Sequence, residues 1–386
     1  MLVTGDNMKK LFGWLNYMRY HDMHDITHTI FKNSPLGKCN EVNCYIDLGS
    51  LAQMIYNNPT IKINDPRELS SCILNYAGYI RDYFRIYHNV YATIFMVFSD
   101  NEWKILKDIC HDYLSRSNKK ANYKEYKYVH DSMDIIKMIS HYLPNVYYIE
   151  SECETDGVIL ATIWKENSIG NDNPNIVFGR NINLVQLPIL DERTYFYYKK
   201  IHLGYTASYG VTRKNALISY LKFTNRYNPI YEKDGMVFIQ IGKSIDDTKF
   251  LNKTNRIISV GNAINKFIPD YLSAFIALVG FPGRNIPSKL NWQSAIECLS
   301  NFNVFIDDPL WIYNNAPFSK RLYTRLGYED FTNRYKAVDV KFHANMYKMS
   351  LDYQIDYRIN LQDSTELKYV NDHYFTNNDF IDLNKF

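Results

Sequence analysis

Cysteine is scarce in this chain of 386 residues. There are six, at positions 39, 44, 72, 110, 153 and 298, with no C-x-x-C pair and no regular framework. That excludes a disulfide scaffold and a redox-active dithiol, and the thiols read as reduced and intracellular. Cys39 and Cys44 are spaced for half a zinc site, but no second pair completes it. No apolar run reaches about 18 residues, so no transmembrane helix is expected and a membrane partner is excluded. The N-terminus lacks the charged-then-apolar pattern of a cleaved secretory signal. Charge of one sign is not in excess either. A net charge of +3 neither advertises nor excludes nucleic acid, because a binding groove needs only local charge. Internal repeats and low-complexity segments are lacking too.

What is present is a hydrophobic content of 46%, enough for a sizeable core divided among two or three subdomains. Tyrosine is abundant at 34 residues. Each tyrosine offers large amphipathic contact area at low entropy cost, which favours extensive protein contacts. Together with plentiful Asn, Ile and Lys, this composition suggests an AT-rich coding genome, such as many phages have.

Along the chain, residues 1–32 read as helical, with Leu11, Trp14, Leu15 and Met18 on one face. His21, His24 and His28 share a stripe there, a spacing that fits a solvated or interface face better than a metal site. Asn43 to Asp47 reads as a strand, followed by a helix to about Tyr56 and a long helix over 66–88. Tyr91 to Phe98 is a continuous apolar run of the kind a parallel sheet buries, and it ends at Ser99 and Asp100. A basic stretch with Arg116, Lys119, Lys120, Lys124 and Lys127 alternates with tyrosines. Strands are expected near 146–150 and 175–179, with a helix after Glu154 and Asp156. Strand–helix alternation of this kind predicts an α/β parallel sheet with helices on both faces. Residues 188–258 read as an insertion, with a basic helix near Arg213–Lys222 and a strand over Met236–Ile241. From about Val260 the pattern is helical, broken by a turn at Gly280–Pro287.

The acids Asp47, Asp100, Glu154 and Asp156 all stand where a strand ends, the edge at which open α/β sheets place their chemistry. Taken alone, carboxylates at a helix start fit N-terminal capping before they fit a shared cation.

These segments resemble, in order over residues 43 to 300, the phage and bacterial 5′-to-3′ exonuclease and flap endonuclease family, within the wider PIN-like nucleases. Cys44-Tyr45-Ile46-Asp47-Leu48-Gly49-Ser50 is similar to the family's first strand, and Met96-Val97-Phe98-Ser99-Asp100 to its second. Glu154-Thr155-Asp156-Gly157 resembles the Glu-Ala-Asp-Asp helix start, with the last acid replaced by Gly157. The resemblance implies a PIN-like core over 43–258, inserted at 188–258, after an N-terminal helical extension over 1–42. It also implies a helical C-terminal region over 259–386 with a degenerate helix–hairpin–helix. Asp47, Asp100, Glu154 and Asp156 carry over as one cation site, for Mg²⁺ or Mn²⁺ if any.

The family's second metal site does not carry over. Its Gly-Asp-x-Asp and Leu-x-Gln-Leu become Gly179-Arg180-Asn181-Ile182-Asn183 and Leu184-Val185-Gln186-Leu187. The acid of its later Leu-x-Gly-Asp becomes Phe281. Arg180, Asn183 and Phe281 thus stand at degenerate metal positions, with Arg180 placed for its charge to substitute for a cation. Arg116, Lys119, Lys120, Lys124, Lys127 and Lys289 are the expected DNA contacts. Three functions follow. One is an inactive nuclease-like protein acting as a binding or structural component of a phage virion or replication complex, with other protein subunits as partners. The others are a weakly active one-metal 5′ nuclease, and a junction-binding pseudo-nuclease with DNA as partner. The expected location is the cytoplasm of an infected bacterium, or the virion.

Overall fold

In a computed structural model of the protein, the described residues are 39–56, 63, 65–99, 109, 123–202, 205–224, 230–233, 236–241, 256–259, 267–281, 286–299, 308–315 and 326–358. The elements begin with β1 (Glu41–Asp47), α1 (Leu48–Tyr56), α2 (Pro66–His88), β2 (Tyr91–Ser99) and α3 (Tyr123–Ser140). They continue with β3 (Val146–Ser151), α4 (Thr155–Ser168), β4 (Asn175–Gly179), a 3₁₀ turn (Ile182–Gln186) and α5 (Leu187–Leu190). Next come β5 (Thr194–His202), β6 (Tyr205–Val211), α6 (Ala216–Thr224), β7 (Ile230–Lys233), β8 (Met236–Ile241) and β9 (Arg256–Ser259). The last are α7 (Leu272–Val279), α8 (Trp292–Leu299), α9 (Pro309–Asn315), α10 (Tyr328–Val338) and α11 (Val340–Lys348).

Six strands form one sheet in the order β3-β2-β1-β4-β5-β6, and β7-β8-β9 form a small antiparallel sheet. The first five strands of the large sheet run parallel, and β6 returns antiparallel to β5. Alternation along each strand divides the core in two, since successive side chains point to opposite faces. Val42, Cys44 and Ile46 of β1 join Ala92, Ile94, Met96 and Phe98 of β2 under α1, α2 and α3. Tyr45, Phe95, Val97 and Ile149 face the other way, toward α4, α6 and the C-terminal helices. Tyr45 stacks on Phe95 with ring centroids 4.6 Å apart. The fold is therefore α/β, a mostly parallel sheet with helices on both faces and a helical C-terminal part.

Local chemistry sets the helix ends. Asp65 caps α2 by accepting from the amides of Arg67 (2.7 Å) and Glu68 (3.2 Å), and Pro66 takes the first helical position. Asn89 closes α2 at φ 53°, a left-handed conformation that asparagine tolerates.

Within the stretch read as an insertion, β5 and β6 extend the large sheet. The Tyr- and Lys-rich sequence of β5 blurs the apolar signal of a strand toward the sheet's edge. The end of the basic stretch, Lys124 and Lys127, lies on α3, which starts at Tyr123.

The C-terminal helices are fastened to the core by one buried amide. Gln186 Nε2 donates to the Val338 carbonyl at 2.8 Å, and the Ser273 hydroxyl lies 2.7 Å from Gln186 Oε1 and 2.8 Å from Asp339 Oδ1. Asp339 in turn caps α11 by accepting from the Phe342 amide at 2.9 Å.

Candidate functional site

Parallel strands bring their C-terminal tips to one edge, so Asp47 at the tip of β1 and the β3–α4 junction carrying Glu154 and Asp156 share that edge. Asp100 lies outside the described residues, as do Arg116, Lys119, Lys120, the three N-terminal histidines and Cys110.

Asp47 is 3% exposed. It opens α1, with Oδ1 accepting from the Ser50 amide at 3.0 Å and Oδ2 from the Ser50 hydroxyl. Gly179, at the tip of the neighbouring β4, allows this: a Cβ there would lie 3.3 Å from Asp47 Oδ2 and 2.7 Å from a Leu184 methyl. Glu154 is buried at the N-cap position of α4, yet its side chain makes no capping hydrogen bond. The plain capping account therefore does not explain it.

Asp156 is fully buried and densely contacted. Oδ1 accepts from the Gly157 amide at 2.7 Å and faces His343 Nδ1 at 2.8 Å. Oδ2 accepts from Asn183 Nδ2 at 3.0 Å and, more distantly, from Asn181 Nδ2 at 3.5 Å. His343 comes from α11, 187 residues further along the chain, and is itself buried. Its Nε2 lies 3.0 Å from the Lys336 carbonyl, which can only accept. Two oxygens thus face the two ring nitrogens.

Gly157 makes the arrangement sterically feasible. A Cβ at this position would lie 2.4 Å from His343 Cβ, 2.5 Å from the His343 carbonyl carbon and 2.7 Å from the Ala344 nitrogen. An acid at 157, as the resemblance would have it, has no room while α11 lies against α4.

The degenerate positions separate in space. Asn183 joins the site through Asp156. Arg180 does not supply the expected positive charge to it: the side chain is exposed and lines a recess with Ile46, Leu51, Met54 and Tyr197. The basic side chain that faces Asp156 is His343. Phe281 is buried in the apolar core and bridges Ile286 across the 280–287 turn. At the head of that turn Gly280 adopts φ 80°, and a Cβ there would lie 2.5 Å from the Ile286 carbonyl oxygen.

Mg²⁺ and Mn²⁺ call for several hard oxygen ligands around one point. Among the described residues, no three His, Cys, Asp or Glu side chains gather as such a set. The oxygens of Asp156 already face N–H donors, so the described side chains do not fit a divalent cation at this carboxylate. Burial raises the thiol pKa of the neighbouring Cys153 above its ordinary value. The basic residues that can be placed are locally neutralised. Lys127 pairs with Asp131 at 2.7 Å, and Lys289 with Asp330 at 3.3 Å. Lys124 lies on α3, with its side chain outside the description.

His343 carries no sequence signal of its own. The nearest hint is Gly157, a residue without a side chain at a helix start where a neighbouring backbone approaches closely.

No family model matches the chain, and no curated protein matches it. Among solved structures, the T5 D15 protein, co-crystallized with metal ions, superposes with a TM-score of 0.50 at 10% identity. The match covers 87% of this chain and 100% of that one. At this identity the likeness is one of fold. Among the described residues no helix is long and apolar enough to cross a membrane.

Proposed function

We propose that this chain is a nuclease-fold protein that has lost metal-dependent cleavage and serves as a binding or structural component of a phage particle or replication complex. The observation that carries the reading is the enclosure of Asp156, whose carboxylate is held by His343, Asn183 and the Gly157 amide. Metal-assisted hydrolysis of a phosphodiester depends on carboxylates that leave their oxygens to the ion. Here His343 of a C-terminal helix faces one of those oxygens and Asn183 donates to the other. The binding role draws support from the 34 tyrosines and from exposed rings and aliphatic chains such as Tyr87, Tyr91, Tyr328, Leu310 and Met349.

The test is cleavage of a 5′-flap DNA by the purified protein in Mg²⁺ or Mn²⁺. The expected rate is at least about a thousandfold below that of active family members, since each ~1.4 kcal/mol of lost transition-state stabilisation is about tenfold. Asp47→Ala is expected to leave the residual rate unchanged. Robust cleavage by the unmodified protein, abolished by Asp47→Ala, would overturn the reading.

A further inference from the structure

The other edge of the sheet, where the parallel strands begin, surrounds a polar cavity of about 440 Å³. Its wall includes Arg81 and Arg85 of α2, Tyr91 at the start of β2, Tyr147 of β3, and Arg358. Arg81 and Arg85 are four residues apart, so they share one helix face as like charges. Arg81 donates to the Pro144 carbonyl at 2.8 Å, and Arg85 to Asp82 at 2.8 Å, with the Arg85 side chain 56% exposed. Burial first, and then the neighbouring Arg85 charge, lower the Arg81 pKa from its ordinary value, while Asp82 raises it.

Three acids border the same arginines: Asp82, already paired with Arg85, and Glu166 and Glu41. Glu166 is fully buried and engaged with Arg358, with the Tyr357 hydroxyl at 2.6 Å and with Asn171 Nδ2 at 2.7 Å. Glu41 accepts from Asn173 Nδ2 at 3.0 Å. Arg358, so held, lies 5.7 Å over the Tyr147 ring and stiffens that wall. The Tyr91 ring is 69% exposed at the start of β2. A planar guanidinium fork suits phosphate oxygens, and an aromatic wall suits a ring or sugar attached to them. The volume is that of an ordinary small-molecule site.

We propose that this cavity binds a small phosphate-bearing molecule, with the phosphate at Arg81 and Arg85 and any attached organic group against Tyr91 and Tyr147. The site is at the far edge of the sheet from Asp47 and Asp156, so it stands or falls independently of the loss of cleavage.

Calorimetric titration of the full chain with sodium phosphate, AMP and adenosine tests it. Phosphate and AMP are expected to bind saturably and to compete, with adenosine at least about tenfold weaker than AMP. Arg85→Gln is expected to weaken both anions by about tenfold or more, with Arg85→Lys intermediate, because a lone ammonium keeps the charge without the fork. Lys137→Gln, a surface cation elsewhere, should match the parent protein. AMP binding tighter than phosphate identifies an organic phosphate as the ligand, and equal affinities identify free phosphate; both support the site. No saturable binding of either anion, or binding unchanged in Arg85→Gln, overturns it.

Discussion

Gly157 has two opposed contributions to stability, and their magnitudes decide which prevails. Inside a helix, glycine costs about 1 kcal/mol relative to alanine, so on propensity alone Gly157→Ala would stabilise. The added methyl would, however, stand 2.4 Å from His343 Cβ and 2.5 Å from the His343 carbonyl carbon. Overpacking against backbone costs roughly 1–3 kcal/mol or more, so net destabilisation is expected in urea unfolding. Adding His343→Ala should not restore stability, because the clash includes Cβ and backbone atoms that alanine keeps. A neutral or stabilising Gly157→Ala would show that α4 and α11 can separate at little cost, and the enclosure of Asp156 would lose its steric basis.

Among the elements, the junction that matters most for the site is that of α11 with α4, and Gln186 helps hold it from behind. Its amide satisfies the Val338 carbonyl and the Ser273 hydroxyl in a region with no solvent access. Gln186→Ala leaves those groups without this partner, and each orphaned buried polar group costs about 1–3 kcal/mol. The expected result is a stability loss in that range, with faster hydrogen exchange in α10 and α11 than in β1 and β2. Uniform exchange across all four elements would argue that the C-terminal helices do not form a separable layer. The same scale explains why β5 was hard to read. In the buried β2 nearly every residue is apolar, whereas Thr194–His202 places lysines among its tyrosines, and a period-two signal cannot emerge from that mixture.

For the whole molecule, the abundance of tyrosine carries a consequence for pH. Burial raises the pKa of Tyr45, Tyr220, Tyr347 and Tyr357, and that of Cys44, above the ordinary values of 10.0 for the phenol and 9.0 for the thiol. As pH rises through those ordinary values, the unfolded chain releases protons that the folded chain retains. The unfolded state then binds fewer protons than the native one, so stability falls with rising pH. Melting temperature should therefore be level at neutral pH and decline between about pH 9 and pH 11, with tyrosinate absorbance rising sharply at the unfolding transition. A melting temperature unchanged across that window would mean that these groups ionise in the folded state.

The sequence by itself determined the parallel core. Apolar runs at 43–47, 92–98, 146–150 and 175–179 can satisfy their backbone and bury both faces only inside a sheet, and crossover helices follow from that. It also determined which acids lie at the strand tips, since strand direction alone brings Asp47, Glu154 and Asp156 to one edge. The structure supplies the caps of that helix, Asp65 with Pro66 at the start of α2 and Asn89 at its end. Only the tertiary structure decided what surrounds Asp156. His343 reaches it from 187 residues away, through an approach of two helices that depends on the atom Gly157 lacks. Arg180 illustrates the same limit. Its position after β4 was legible, but not that its side chain would lie exposed beside Leu51, Met54 and Tyr197. Packing of distant segments sets such contacts, and spacing along a single chain carries no record of them.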